Sequence, residues 1–171
     1  LQGTLPRNKE WSPHRPSAND WLRIMDKNNM EFAYLYSTSA GDVSAVREKA
    51  YAIALCRAYN NYVHDDFAKV SPRLKPLAIF PQQDPQEAAR EIRRAVKELG
   101  LVGVSIKTTG LTLPLGHRFY DPIYEEAQSL GCLLGVHGTR KGTQELASGM
   151  FETFTEVHTV AFPVGIFQQF T

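Results

Sequence analysis

The stretch from Leu130 to Gly138, LGCLLGVHG, constrains the fold of this chain more than any other. Its apolar run is short and rich in Val, Leu and Cys, which favours a strand buried on both faces over a helix. His137 stands at the carboxyl end of that strand, and Gly138 allows the backbone to turn sharply after it. Enzymes of the α/β class build their sites at such strand ends. His137 is therefore either a functional residue or a core histidine bonded to its neighbours.

The rest of the chain alternates between strand and helix patterns. Apolar runs predict three further strands, and we expect all four to be parallel and adjacent in this order: 31–36, 77–80, 101–106 and 132–137. The capping box Ser17-Asp20, the cap-and-proline starts Asp84-Pro85 and Asp121-Pro122, and amphipathic periodicity predict the helices. They cover 17–28, 43–70, 84–99 and 121–130, with a last apolar segment from about 160. Such alternation gives a parallel sheet, either as a doubly wound open sheet or as a (β/α)8 barrel. No glycine-rich nucleotide-binding loop follows any predicted strand.

Composition narrows the class of protein. With 171 residues and 43% hydrophobic content, the chain has enough apolar material for one globular domain, which we assign to 17–171, after an irregular arm over 1–16. The net charge of +1 and the lack of a basic run argue against a nucleic-acid partner. Two cysteines inside apolar segments favour a reducing cytoplasm, and no apolar run is long enough for a membrane span. Because the chain begins with Leu1, we expect it to be a fragment.

Several short motifs follow one another in a familiar order. They are Asn60 in the long helix, Pro72-Arg73-Leu74, Pro81 followed by Gln83-Asp84-Pro85, Glu98 to Val104, and the block from Arg118 to Gly138. Together they resemble the amidohydrolase superfamily. More narrowly, they resemble the amidohydrolase-related branch, which holds aminocarboxymuconate-semialdehyde decarboxylase and the resorcylate decarboxylases.

The resemblance implies a (β/α)8 barrel, of which this chain would supply strands two to five with their helices. It also implies a divalent metal at the carboxyl end of the strands, with zinc expected first and manganese as the alternative. Of the family's ligands, only the histidine on strand five can be transferred, and it falls on His137. By strand alternation we expect His137 to point into the barrel mouth with room beneath it at Gly135, and Leu134 and Val136 to face the helices. No His-x-His pair occurs in the sequence, and its one Glu-x-His, Glu156 to His158, comes after the predicted strand-five histidine and not on a first strand. We therefore expect the remaining ligands to be absent from this chain.

Three further residues are candidates for binding substrate. Lys107 stands at the end of the strand predicted at 101–106, which would be strand four of the barrel. It either points to solvent or attracts a substrate carboxylate. Some amidohydrolases carbamylate a lysine there, but this branch generally lacks it. His158, close to Phe162, is either an exposed loop residue or a hydrogen-bond donor and proton shuttle at the site. Arg140, with Lys141 beside it, either binds an anionic substrate or is solvated.

Two functions therefore stay open. The first is a metal-dependent enzyme that hydrolyses, or decarboxylates without oxidation, a small and partly anionic organic substrate. The alternative is a non-catalytic half-barrel that binds a ligand or a partner chain. Since a half-barrel leaves two sheet edges unpaired, we expect a homo-oligomer.

Overall fold

The computed structural model describes residues 16–37, 40–108, 110–111, 113–138, 151 and 153–170. Within these residues, five α-helices alternate with four short β-strands, which confirms the predicted α/β class. In chain order they are α1 (Ala18–Lys27), β1 (Ala33–Leu35), α2 (Lys49–Val63), β2 (Leu74–Pro76), α3 (Pro85–Lys97), β3 (Gly103–Lys107), α4 (Asp121–Leu130), β4 (Leu133–His137) and α5 (Phe154–Phe167). Apart from Pro16, the predicted arm over 1–16 lies outside the described residues.

All described strand pairings are parallel. β1 pairs with β2, β3 pairs with β4, and one parallel bridge between Ala78 and Val104 joins the two pairs. The segments therefore neighbour one another in the predicted order. The predicted second strand at 77–80 is wrong, however, because the strand itself covers Leu74–Pro76. Beyond Ala78 the chain leaves the sheet because Asn60 bonds both main-chain groups of Ile79, at 2.9 Å to its nitrogen and 2.8 Å to its oxygen.

Helix caps account for most of the helix boundaries. Ser17 and Asp20 form the predicted capping box of α1, and Asp84 caps α3 by accepting from the Glu87 amide. The predicted cap at Asp121 is wrong, because a 3-10 turn over Arg118–Tyr120 runs straight into α4.

Two predicted helices have different bounds in the structure. The helix predicted over 43–70 is divided into a 3-10 helix (Ala40–Ala45), α2 and a π-helical turn (His64–Ala68). The last helix begins at Phe154 and not near 160, because Thr153 and Glu156 form a second capping box.

The sheet has two unlike faces. On what we term the helix face, side chains of the strands pack with α3 and α4 into the main core; they include Ala78, Val104, Ile106, Leu134 and Val136. The predicted orientation of Leu134 and Val136 toward the helices is confirmed. The opposite face, termed the site face, carries Tyr34, Tyr36, Leu77, Ser105, Lys107, Leu133, Gly135 and His137 by strand alternation and register. It is buried at its centre, but its edges expose Tyr34 (46%) and Leu133 (42%).

No helix within the described part of the chain has the length and apolar content needed to cross a bilayer.

Candidate functional site

His137 and Lys107 end adjacent parallel strands. They are partners in the register of β3 and β4, so both side chains leave the sheet on the site face. Neighbouring strands lie about 4.8 Å apart, which brings an imidazole and an ammonium side by side at the carboxyl edge of the sheet. This edge is where we expected His137 to lie.

Lys107 does not point to solvent, so that alternative is wrong. The residue is only 2% exposed, although lysine is among the side chains that proteins bury least often. The side-chain carboxamide of Gln82 forms hydrogen bonds with the main chain of Lys107. The carbonyl of the following Thr108 accepts a hydrogen bond from Gln169 Nε2 at 3.0 Å. The strand end that carries this cation is therefore anchored by side chains from two other segments.

The imidazole of His137 lies among aromatic rings. Its centroid is 5.2 Å from the Tyr36 ring and 6.2 Å from the Phe162 ring. The Nδ1 atom is buried and has no hydrogen-bond partner among the described residues. Burial, followed by the positive charge of Lys107, lowers the pKa of His137 below its usual 6.5, so the ring is neutral at pH 7. A neutral, half-buried imidazole with an unoccupied nitrogen has the properties of a metal ligand.

Tyr36 is a site residue that the sequence did not reveal. It follows β1, yet its ring reaches across the site face to β4. A Cβ placed on Gly135 would lie 2.6 Å from the Tyr36 hydroxyl oxygen, so the tyrosine fits only because position 135 is a glycine. The sequence indicated that Gly135 leaves room below His137, but it gave no signal for the side chain that uses the room.

His158 reaches the same neighbourhood from α5. Its ring lies 4.5 Å from the Phe162 ring, one helical turn further on, and Phe162 in turn faces His137. His158 is therefore exposed on a helix and not in a loop as expected. Phe162 also explains Gly138: a Cβ there would lie 3.0 Å from Phe162 Cδ1, so the glycine permits close approach. The φ angle of Gly138 is not positive, so the expected sharp turn is not the reason for a glycine at this position.

The remaining predicted site residue, Arg140, and its neighbour Lys141 lie outside the described residues. Within the described part of the chain, no group of three or more His, Cys, Asp or Glu side chains is close enough to hold a metal ion. His137 is thus the one predicted ligand whose surroundings the structure defines.

A cleft of about 630 Å³ lies elsewhere, on the helix face. Apolar side chains of β3 and β4 form its floor, namely Ile106, Leu134 and Val136, and His117 and Tyr124 stand at its side. None of the site-face residues lines it, so this cleft is separate from the His137 neighbourhood.

A family model described as amidohydrolase matches residues 9–163. The chain belongs to the amidohydrolase family. The resemblance inferred from the short motifs is thereby confirmed, including its narrower part, since the matching relatives include gamma-resorcylate and 2-amino-3-carboxymuconate-6-semialdehyde decarboxylases.

Named relatives of this amidohydrolase are decarboxylases. The gamma-resorcylate decarboxylase of Rhodococcus jostii is 34% identical over 68% of this chain and 38% of its own length. The structure of the dihydroxybenzoic acid decarboxylase from Polaromonas sp. JS666, with bound manganese and the inhibitor 2-nitroresorcinol, matches with 28% identity and a TM-score of 0.66, covering 76% of this chain and 41% of the relative. The structure of the 2,6-dihydroxybenzoate decarboxylase from Rhizobium matches with 26% identity and a TM-score of 0.72, covering 87% of this chain and 49% of the relative. The chain spans less than half of the length of each.

Proposed function

We propose that the protein containing this chain is a metal-dependent decarboxylase of a small aromatic carboxylate. The observation that carries the proposal is the pairing of His137, a neutral imidazole with a buried and unbonded Nδ1, with the buried cation of Lys107 at one sheet edge. The relatives favour decarboxylation over hydrolysis, because those named above are decarboxylases, and three of them are named for dihydroxybenzoates or resorcylate.

We further propose that the four parallel segments are strands two to five of a (β/α)8 barrel, within the domain assigned to 17–171. In a flat sheet, β1 and β4 would lie roughly 14 Å apart, three strand spacings. Tyr36 nevertheless contacts Gly135 and faces His137 across the two intervening segments. Only a strongly curved sheet brings these strands so close, and a barrel has that curvature.

His137 is the ligand that this chain would contribute to the metal. The Polaromonas relative holds manganese, so we prefer manganese to the zinc expected from the sequence. A bound divalent cation would supply electrostatic stabilisation to oxygen atoms of the substrate. The protein's own contribution here is to keep the imidazole neutral and to orient it between Tyr36 and Phe162.

Lys107 and His158 would bind the substrate, and Arg140, which follows β4 in the sequence, would add a second cation. Lys107 is close enough to His137 to lower the pKa of its imidazole, so its ammonium would attract a carboxylate held next to that ring. During decarboxylation the bond between the ring and the carboxylate breaks, carbon dioxide leaves, and the ring carbon takes a proton. His158 lies one aromatic ring further out, where it can bond the far side of the substrate.

Replacement of His137 tests the metal assignment. In the whole protein, His137→Ala should reduce bound manganese and lower turnover of a dihydroxybenzoate by more than the roughly 10- to 100-fold that loss of a supporting group costs. The thermal midpoint of the metal-free protein should change little. His117→Ala is the matched control, since that histidine is exposed and its imidazole accepts a hydrogen bond from the nearby Phe119 amide, away from the site face. Full manganese occupancy and normal turnover in His137→Ala would refute the assignment.

A second candidate function is the binding of a partner chain, including a second copy. It is favoured by the large apolar side chains exposed along the edges of the site face, Phe32, Tyr34, Tyr36 and Leu133. Analytical ultracentrifugation of the whole protein, with and without manganese, separates the two. An oligomer that binds no manganese and has no decarboxylase activity when manganese is supplied would support binding alone.

A further inference from the structure

The side chain of Gln82 makes an unusual contact with the main chain of Lys107. Its Oε1 accepts from the Lys107 amide at 2.8 Å, and its Nε2 donates to the Lys107 carbonyl at 3.0 Å. Gln82 is 1% exposed, so both bonds are shielded from water. Hydrogen bonds in such surroundings are stronger than in solvent and costly to lose.

This contact continues the hydrogen-bond ladder of the sheet. Along β3, Gly103 and Ser105 bond the main chain of Ala78. Two residues further on, Lys107 faces the same side, but the chain after Ala78 has already turned toward Asn60. The side-chain carboxamide of Gln82 supplies one donor and one acceptor at the position that a main-chain residue of the neighbouring strand would occupy. Without it, the last residue of β3 would lose its partner on that side.

We propose that Gln82 is a positioning residue of the candidate site, which acts through Lys107. By holding the main chain at the end of β3, it fixes the point from which the lysine side chain extends beside His137. This role rests on the proposed function, because it matters only if Lys107 binds the anionic group of the substrate. A long, flexible side chain places its charge reproducibly only when its Cα is held.

The chain offers a matched control in the next residue. Gln83 also bonds main-chain oxygen atoms, those of Val43 and Val46, at 2.6 and 2.7 Å. Its partners lie in the segment before α2 and not in β3. Gln83→Met should therefore destabilise the protein through lost main-chain bonds without moving Lys107, whereas Gln82→Met should do both.

The experiment measures binding of benzoate, with benzamide as the neutral analogue, to the manganese-loaded whole protein by calorimetry. We expect Lys107→Met and Gln82→Met each to raise the dissociation constant of benzoate about tenfold relative to wild type, with benzamide unaffected. Gln83→Met should bind benzoate as wild type does. Gln82→Glu keeps the acceptor for the Lys107 amide and loses the donor to its carbonyl, so its affinity should lie between. Amide hydrogen exchange at Lys107 should quicken in Gln82→Met but not in Gln83→Met.

Other results would overturn the proposal in distinguishable ways. If wild type and Lys107→Met bind benzoate equally, the substrate role of Lys107 fails, and the role of Gln82 fails with it. If Lys107→Met weakens binding but Gln82→Met does not, the proposed function stands and the positioning role is wrong. Equal loss of affinity in Gln82→Met and Gln83→Met would reduce Gln82 to a general contributor to stability. Should Gln82→Met not fold, wild-type affinity in Gln82→Glu, which loses the bond to the Lys107 carbonyl, would likewise refute the role.

Discussion

The two faces of the sheet differ in what they are built from. The helix face is apolar throughout, and Val104 and Ile106 are buried against α3 and α4. The site face alternates with it along the same strands, yet it carries a serine, a lysine, a glycine and a histidine on β3 and β4. Two of its polar atoms, Ser105 Oγ and His137 Nδ1, are buried without a hydrogen-bond partner among the described residues.

The two faces therefore have different roles, although they alternate along the same five-residue strands. The helix face stabilises the fold, and the site face carries the groups of the candidate site. A buried polar atom without a partner costs about 1–3 kcal/mol, and proteins retain such atoms mainly where function needs them. The helix face has apolar contacts that offset this cost, because its side chains form the main core together with α3 and α4. We therefore expect substitutions on the helix face to change stability, and those on the site face to change binding.

The sharpest test of this contrast uses two neighbours on β3. Ile106→Ala should lower the free energy of unfolding by about 2–5 kcal/mol, because it leaves a cavity in the main core. Ser105→Ala should change it by less than about 1 kcal/mol, since the buried hydroxyl has no partner to lose among the described residues. Urea denaturation of the whole protein measures both. Equal losses of unfolding free energy from the two substitutions would show that stability does not depend mainly on the helix face.

The sequence predicted the helix face better than the site face. The apolar periods of β3 and β4, with Asp84-Pro85 and Ser17-Asp20 as caps, identified the elements because each signal is local. The failures arose where distant residues intervene. Asn60 displaces the second strand from 77–80 by bonding Ile79, nineteen positions away in the chain, and no local pattern announces such a bond.

For the candidate site, the sequence predicted that His137 and Lys107 lie at strand ends, because strand ends are visible in the apolar pattern. It did not identify Tyr36 or Gln82, whose roles depend on sheet curvature and on the path of the chain after Ala78. Lys107 was expected either in solvent or beside substrate, because lysine is exposed by default. Its burial becomes apparent only when Gln82 and β4 are seen on either side of it.

Glycines offer a second test, with a smaller expected effect. A Cβ on Gly103 would lie 2.4 Å from the Leu133 carbonyl oxygen, which is main chain and cannot move without separating β3 from β4. A Cβ on Gly135 meets the Tyr36 hydroxyl, the mobile end of a side chain. Gly135→Ala should therefore cost about 1–2 kcal/mol of unfolding free energy, and Gly103→Ala should cost more.

A double-mutant cycle sharpens the glycine comparison. In a Tyr36→Ala background, the cost of Gly135→Ala should fall, because the clash has lost one partner, whereas the cost of Gly103→Ala should stay the same. Thermal or urea denaturation of the wild type, the three single variants and the two double variants gives the coupling energies. Zero coupling between positions 36 and 135 would contradict the contact across the site face.

The smallest expected effect concerns the charge on the site face. Burial and Lys107 both lower the pKa of His137, so the unfolded chain binds a proton at this position more readily than the folded one. The metal-free protein should consequently lose stability from this group as the pH falls below 6.5, and regain it above that value.

Lys107→Met removes one of the two causes and should raise the pKa of His137, measured by NMR titration of the imidazole in the metal-free protein. Lys75→Met is the control, because this lysine lies on the same face in β2 and its ammonium stands 5.6 Å over the Phe32 ring. If both lysine variants shift the pKa of His137 equally, long-range charge and not the strand-end pairing controls the imidazole.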